Sequence, residues 1–141
     1  MEFGELLKSF LLDLQNLFRS RIASDGLTLP QILLISCIPD NGIDMTSLSN
    51  RLGVDNSTLT RVVDILYKKG WVKREKDQRD KRITLLKLTS TGIKHQEKIE
   101  NEIDRFGDHI YNSISIEDRD EVKEILSTFH WTLSKVLMKN E

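Results

Sequence analysis

The stretch TSLSNRLGVDNSTLTRVVDILYKK, residues 46–69, decides how this chain is read. Thr46 is expected to cap a short helix running through Leu52, because its hydroxyl can accept the N–H groups that a first helical turn leaves unpaired. Gly53-Val54-Asp55 then makes a tight turn, and Gly53 suits a left-handed backbone position that a side chain would strain. Asp55 is a good cap for a second helix, Asn56 to Lys69, with Leu59, Val62, Val63 and Leu66 on its inner face. Gly70 stops that helix, and Lys68 and Lys69 sit at the negative end of its dipole. A short helix, a glycine turn and a longer helix that opens on small polar residues make a helix-turn-helix. Asn56, Ser57, Thr58, Thr60 and Arg61 offer groups that can read base edges in the major groove, and Arg61 has the fork geometry for guanine or phosphate. The plainer reading is that the polar cluster only caps its helix. It is preferred for Asp55; contact is preferred for Ser57, Thr58, Thr60 and Arg61.

Downstream the period changes. Trp71-Val72-Lys73-Arg74 and Ile83 to Leu88 read as strands joined by a charged loop, Glu75 to Arg82, which makes a β-hairpin. Arg79, Lys81 and Arg82 on a protruding tip can enter a minor groove, where narrow A·T-rich stretches concentrate negative potential. Asp77 and Asp80 are expected to pair with the arginines and hold the loop's shape; a merely solvated turn is the alternative. Thr89 caps a long helix with Ile93, Ile99, Ile103, Phe106, Ile110 and Ile114 at heptad-like steps. Ser115 with Asp118 reads as a variant capping box opening a last helix, whose apolar side is Val122, Ile125, Leu126, Phe129, Leu133, Val136 and Leu137.

Upstream, Phe3, Leu6, Leu7, Phe10, Leu11, Leu14, Leu17, Phe18 and Ile22 form one apolar stripe on a helix of about six turns, ended by Asp25-Gly26. Thr28 and Gln31 read as a reciprocal capping box with Pro30 in the first turn. The helix they open, Leu29 to Ile38, is apolar nearly all round and is expected to be buried. Pro39-Asp40-Asn41-Gly42 breaks it, and Ile43 to Met45 is a candidate short strand. The first and last helices carry more apolar stripe than a small lobe can cover, which predicts packing on each other and on a second copy.

Composition narrows the function. The 141 residues fit one domain, and 30% of them are charged, so a soluble, cytoplasmic protein with no membrane partner is expected. The longest near-apolar run, Ile32 to Ile38, is far short of the roughly 20 residues a bilayer span needs. Net charge is −1, yet residues 61–94 hold eleven Lys/Arg against four Asp/Glu, a local +7, and the remainder carries −8. That asymmetry is the footprint of a nucleic-acid-binding lobe joined to something acidic. The single cysteine, Cys37, reads as a small apolar residue in a buried helix. His95, His109 and His130 have no metal-ligand spacing, so no metal and no cofactor are expected. The chain lacks a phosphate-binding glycine loop, a nucleophile elbow and a zinc-protease helix, and no enzymatic activity is expected.

From Val54-Asp55 to Gly92 the chain closely resembles the multiple-antibiotic-resistance-repressor (MarR) family of winged-helix regulators. The matching features are Leu59-Thr60-Arg61, Leu66, Lys69-Gly70-Trp71-Val72, Asp80-Lys81-Arg82, and Leu88-Thr89 followed by Gly92; a weaker match runs from Leu6 to Leu137. The resemblance implies a mainly α fold with a small β-hairpin wing (α+β), forming a single domain over residues 1–141. Its DNA-binding lobe would span 28–92, with the helix-turn-helix at about 46–69 and the wing at 71–88. Helices at 1–24 and 90–138 would form the interface of a triangular homodimer. Arg82 becomes the wing arginine aimed at the minor groove, Asp80 its stabilising partner and Arg79 a second candidate, and Asn56, Ser57, Thr58, Thr60 and Arg61 become major-groove readers. The expected activity is sequence-specific binding of double-stranded DNA at a pseudo-palindromic site, with half-sites about 10 bp apart, as a repressor. A small aromatic or lipophilic effector is a further candidate partner. Its pocket would be lined by the first helix, Leu29 to Ile38 and the start of the helix after Thr89, a lining that a plain core would share. The alternative function is a winged-helix protein-interaction module whose basic wing takes an acidic partner.

Overall fold

The computed structural model describes residues 1–22 and 26–139. In order they form α1 (Phe3–Ile22), α2 (Leu29–Cys37), β1 (Ile43–Asp44), α3 (Met45–Leu52), α4 (Asn56–Lys68), β2 (Val72–Lys76), β3 (Thr84–Leu88), α5 (Ser90–Ser113) and α6 (Arg119–Lys139). Asp25, expected to end the first helix, lies outside the described residues, as do Ala23 and Ser24. The fold class is the expected one, helices with a small antiparallel sheet. Two compact units divide the chain, Met1–Ile103 and Asp104–Glu141, with α5 passing from the first into the second.

In the first unit, local caps set the helix starts. The Thr28 hydroxyl accepts the Gln31 N–H at 3.4 Å while the Gln31 amide oxygen accepts the Thr28 N–H at 3.2 Å, so the expected reciprocal box opens α2. Asp55 caps α4 as expected, its carboxylate accepting the Thr58 N–H at 2.7 Å. The cap of α3 is Asp44, not Thr46: one Asp44 oxygen accepts the Ser47 N–H at 2.9 Å and the other the Ser47 hydroxyl at 2.7 Å. Strand β1 ends where α3 begins, so the acid at the junction takes the orphan N–H before Thr46 can. Gly53 holds the expected left-handed conformation between α3 and α4, φ 66°.

The sheet has order β1-β3-β2, all antiparallel. Strand β1 joins by pairing Ile43 with Leu86 and Asp44 with Leu85, so the expected hairpin is anchored on a third strand. Opposite each other in β2 and β3 stand Lys73 and Lys87, a repulsive pair on its own. Glu75 offsets it by bonding both ammonium groups, at 3.2 Å and 3.0 Å.

Ile32, Leu34, Ile35, Leu48, Leu59, Val63, Leu66 and Leu86 interlock beneath this sheet, each at most 1% exposed. Helix α2 is not buried all round: Leu33 is exposed and Cys37 half-buried. The first turns of α5 are bolted to the same core. The Thr89 hydroxyl donates to the Gly70 carbonyl at 2.6 Å and accepts the Gly92 N–H at 3.1 Å. Gly92 presses on the Trp71 carbonyl so closely that a Cβ there would collide with backbone. The Gln96 amide donates to the Ile35 and Ile38 carbonyls at 2.9 Å each, closing the C-terminal end of α2.

In the second unit, Ser115 and Asp118 form no capping box. The Asp118 N–H donates to the Ser115 carbonyl at 2.8 Å, a backbone turn before α6 starts at Arg119. Arg119 reaches back to the Ile114 and Asn112 carbonyls, both at 2.9 Å, and closes the end of α5. No residue of α6 is buried, although Ile125, Leu126, Leu133, Val136 and Leu137 lie along it. No helix among the described residues is long and apolar enough to cross a membrane.

Candidate nucleic-acid interface

The start of α4 is built to leave polar groups in solvent. Asp55 turns its carboxylate onto the helix end, and its pKa is lowered chiefly by the Thr58 N–H, then by Thr58's side chain and the nearby Arg61 charge. With the backbone donors met by Asp55, the side chains of Asn56, Ser57, Thr60 and Arg61 are exposed, and Thr58 is half-buried. The Thr60 hydroxyl donates to the Asn56 carbonyl at 2.8 Å, which leaves its oxygen as an acceptor. The Arg61 guanidinium leans on the Thr58 hydroxyl at 3.4 Å and keeps its remaining donors for a ligand. All five residues singled out from the sequence thus share the first two turns of one helix.

The second group sits on the β2–β3 loop. Asp77 N–H donates to the Ile83 carbonyl at 2.9 Å, and Ile83 N–H donates to the Asp80 carbonyl at 3.0 Å, which folds the tip back on itself. Asp80 then grips Arg82 three times: one oxygen accepts the Arg82 N–H at 3.1 Å and Nε at 3.0 Å, the other accepts Nη2 at 3.1 Å. The pair lowers the Asp80 pKa, through the guanidinium first and the backbone N–H second. Even so, the Arg82 side chain is 91% exposed, so it is aimed without being covered. Asp77 serves the loop differently from the expected arginine pairing: it accepts the Arg79 backbone N–H at 3.0 Å. Arg79 and Lys81 are exposed at the tip.

Three further residues tie these groups to the scaffold; the sequence reading gave Arg74 and Gln96 no role of their own and weighed His95 only as a metal ligand. Arg74 on β2 donates to Asp64 on α4 at 3.0 Å and lies 5.0 Å from the centre of the Tyr67 ring. His95 on α5 stacks on Trp71, ring centres 3.8 Å apart, with the Lys69 ammonium 5.0 Å from the same indole. Gln96 was legible in principle, because an amide in register with Ile93, Ile99 and Ile103 on an apolar stripe must find a buried partner. Among the described residues no cluster of His, Cys, Asp or Glu could hold a metal ion.

Beside the helix-turn-helix lies a cavity of about 200 Å³ lined by Gln15, Leu29, Pro30, Leu33, Leu34, Leu52, Val54, Thr58, Leu59 and Val62. It has the α1 and α2 walls expected of an effector pocket. The helix after Thr89 is not part of its lining; the turn and first half of α4 take that side.

Comparison with known proteins agrees with this geometry. Residues 27–84 match the model of the MarR family. Over 111 residues the chain is 32% identical to the HTH-type transcriptional regulator FarR of Neisseria gonorrhoeae, covering 78% of this chain and 76% of that one. It is 28% identical over 94 residues to the uncharacterized HTH-type transcriptional regulator YdgJ of Bacillus subtilis, covering 67% of this chain and only 57% of that relative's length. The fold of Streptococcus pneumoniae FabT, solved in complex with DNA, superposes with a TM-score of 0.79 at 18% identity, covering 94% of this chain and 96% of that one. With the winged lobe, the motif residues and the FarR match in agreement, the chain belongs to the MarR family of winged helix-turn-helix transcription regulators, which are not enzymes.

Proposed function

We propose that this regulator binds double-stranded DNA sequence-specifically as a homodimer, and that it represses from a pseudo-palindromic site. The observation that carries the reading is the pairing, on one lobe whose residues 61–94 carry a local charge of +7, of an exposed polar helix start with an exposed arginine tip. Ser57, Thr58, Thr60 and Arg61, with Asn56, read the major groove. Arg82, held in shape by Asp80, enters the minor groove, with Arg79 and Lys81 on the flanking phosphates or the groove floor. The homodimer is supported by the uncovered apolar sides of α1 and α6. Repression asks least of the chain, since occupancy of a promoter suffices and no activating surface is required.

The cavity beside α4 supports release by a small apolar effector. A cavity of about 150 Å³ already accepts benzene, so this one fits a single substituted aromatic ring. Because Val54, Thr58, Leu59 and Val62 form part of its wall, a ligand there would touch the recognition helix. It can shift DNA binding only by its differential affinity for the bound and released arrangements.

The test is selection of random duplex DNA by the purified protein, read by sequencing. An enriched inverted repeat that survives excess unrelated duplex is the expected result. A folded dimer that enriches nothing, and whose binding is only to polyanions in general, contradicts the reading and favours an acidic protein partner for the wing.

A further inference from the structure

Arg74 belongs to neither DNA-reading group, yet it touches both elements that carry them. It stands in β2, the first strand of the wing, and its guanidinium is held by two groups of α4 at once. Nη2 bonds the Asp64 carboxylate at 3.0 Å, and the Arg74 Cζ lies 5.0 Å from the centre of the Tyr67 ring. Asp64 and Tyr67 are three residues apart, hence neighbours on one helix face. A guanidinium meets the two with a rigid planar fork that fixes their relative orientation, whereas an ammonium would meet the same pair only as a compact point charge without that constraint. The pair is poorly placed to stabilise the fold, because Arg74 is 38% and Asp64 52% exposed and solvent screens such bridges. Its geometry suits a brace instead.

The need for a brace follows from the connection. Helix α4 passes into β2 through Lys69-Gly70-Trp71, where Gly70 is left-handed with φ 78°. Strand β2 continues only to Lys76 before the tip folds back, so the tip lies roughly 10 Å beyond Arg74. A pivot of about 10° at the base would therefore carry it through roughly 2 Å. That is the scale of a hydrogen bond, and enough to take Arg82 out of a groove while α4 stays in its own.

We propose that Arg74 is a positioning residue for DNA reading: by clamping β2 to Asp64 and Tyr67 it fixes the wing relative to the recognition helix, so that both engage one duplex together. The proposal rests on the DNA-binding reading above. The competing role is a direct phosphate contact, and the two differ in their readouts. A phosphate contact depends on charge and contributes about one unit to the slope of log affinity against log salt. A brace depends on shape, so a variant that breaks it while keeping the charge also frees the wing's own phosphate contacts and lowers the slope.

Affinity for the duplex obtained by selection is measured across a salt series for the wild type, Arg74→Ala, Arg74→Lys and Tyr67→Leu, each checked for its folding transition and oligomeric state. Arg74→Ala is expected to weaken binding roughly 10- to 100-fold. Arg74→Lys is expected to weaken it nearly as much although the charge is kept. Tyr67→Leu, which removes no charge and keeps the helix, is expected to lose several-fold, and Arg74→Lys to show a slope as shallow as that of Arg74→Ala although its charge is kept. A near-wild-type Arg74→Lys together with a shallower slope for Arg74→Ala would overturn the brace in favour of a phosphate contact. Unchanged affinity in both Arg74 variants would remove Arg74 from DNA reading altogether. Failure of the wild type to bind any duplex specifically would instead sink the reading beneath it. An Asp64 variant would confound the comparison, since it also removes an acid beside a polyanion.

Discussion

The two units of this chain spend their apolar residues differently. In the first, Ile32, Leu34, Ile35, Leu48, Val63 and Leu66 are wholly hidden, drawn from three helices that close over one sheet. In the second, α6 runs 21 residues without burying one of them, and Leu126 remains 53% exposed. The part of the first unit built from α2 to α4 and the sheet is a finished core that can present a rigid reading surface, whereas α1 leaves Phe3, Leu11 and Leu14 exposed. The second, like α1, carries exposed apolar residues along one helix, the kind of surface that marks an interaction site. Under the proposed function a second copy covers it.

The sharpest way to break that contrast is to make the same deletion on both sides. Leu59→Ala should cost the lobe about 2–5 kcal/mol in denaturant unfolding, because it removes packed methyl groups and leaves a cavity. Leu126→Ala should leave that transition nearly in place and instead raise the dimer dissociation constant, read by sedimentation. Equal effects at the two positions would abolish the distinction.

A pair of glycines gives a smaller version of the same test. Gly92→Ala drives a methyl into the Trp71 carbonyl and should destabilise the lobe by about 1–3 kcal/mol. Gly107, also inside α5, has nothing within 4 Å of an added Cβ. Alanine there should add up to about 1 kcal/mol of helix stability to the chain taken alone. Any loss on Gly107→Ala would report a partner packed against it.

On the reading surface itself, Arg82→Ala should weaken operator binding roughly 10-fold or more at matched salt while the folding transition and oligomeric state hold. Unchanged affinity would take Arg82 out of the mechanism.

The smallest expected effect is on pH. Asp44 and Asp55 both cap helices of the lobe. Ser47's hydroxyl first and its N–H second lower the Asp44 pKa, as Thr58's N–H does for Asp55. Their folded pKa values lie below the unfolded value of about 3.9, so the stability they lend is present above that pH and is lost as pH falls through the folded values. The melting temperature of the lobe should drop modestly between about pH 5 and pH 3, and Asp55→Asn, which still caps, should flatten part of that slope.

What was legible in the sequence was local. The Thr28–Gln31 box, Gly53 and Asp55 act within three residues of themselves, so spacing alone exposes them. The α3 cap was misplaced because Asp44 and Thr46 are both competent caps two residues apart. What decides between them is where β1 stops, and that depends on Ile43 pairing with Leu86 more than forty positions away. Arg74 counted only as one charge among eleven, since its bonds to Asp64 and Tyr67 exist only once the hairpin folds back on α4. Gly92 could be matched to a family motif but not explained until the Trp71 carbonyl was found against it. The cavity wall was half foreseen for the same reason: α1 and α2 are apolar by period, whereas the participation of Val54 and Thr58 follows from how the turn packs.

The central claim is that one lobe reads one half-site and the dimer reads two. It is tested most directly by the affinity of the wild-type protein for the selected inverted repeat and for the same duplex with one half scrambled. Linked binding of two lobes predicts a loss on the order of 10²- to 10⁴-fold. Equal affinity for the two duplexes would mean that a single lobe does all the reading, and would contradict the account.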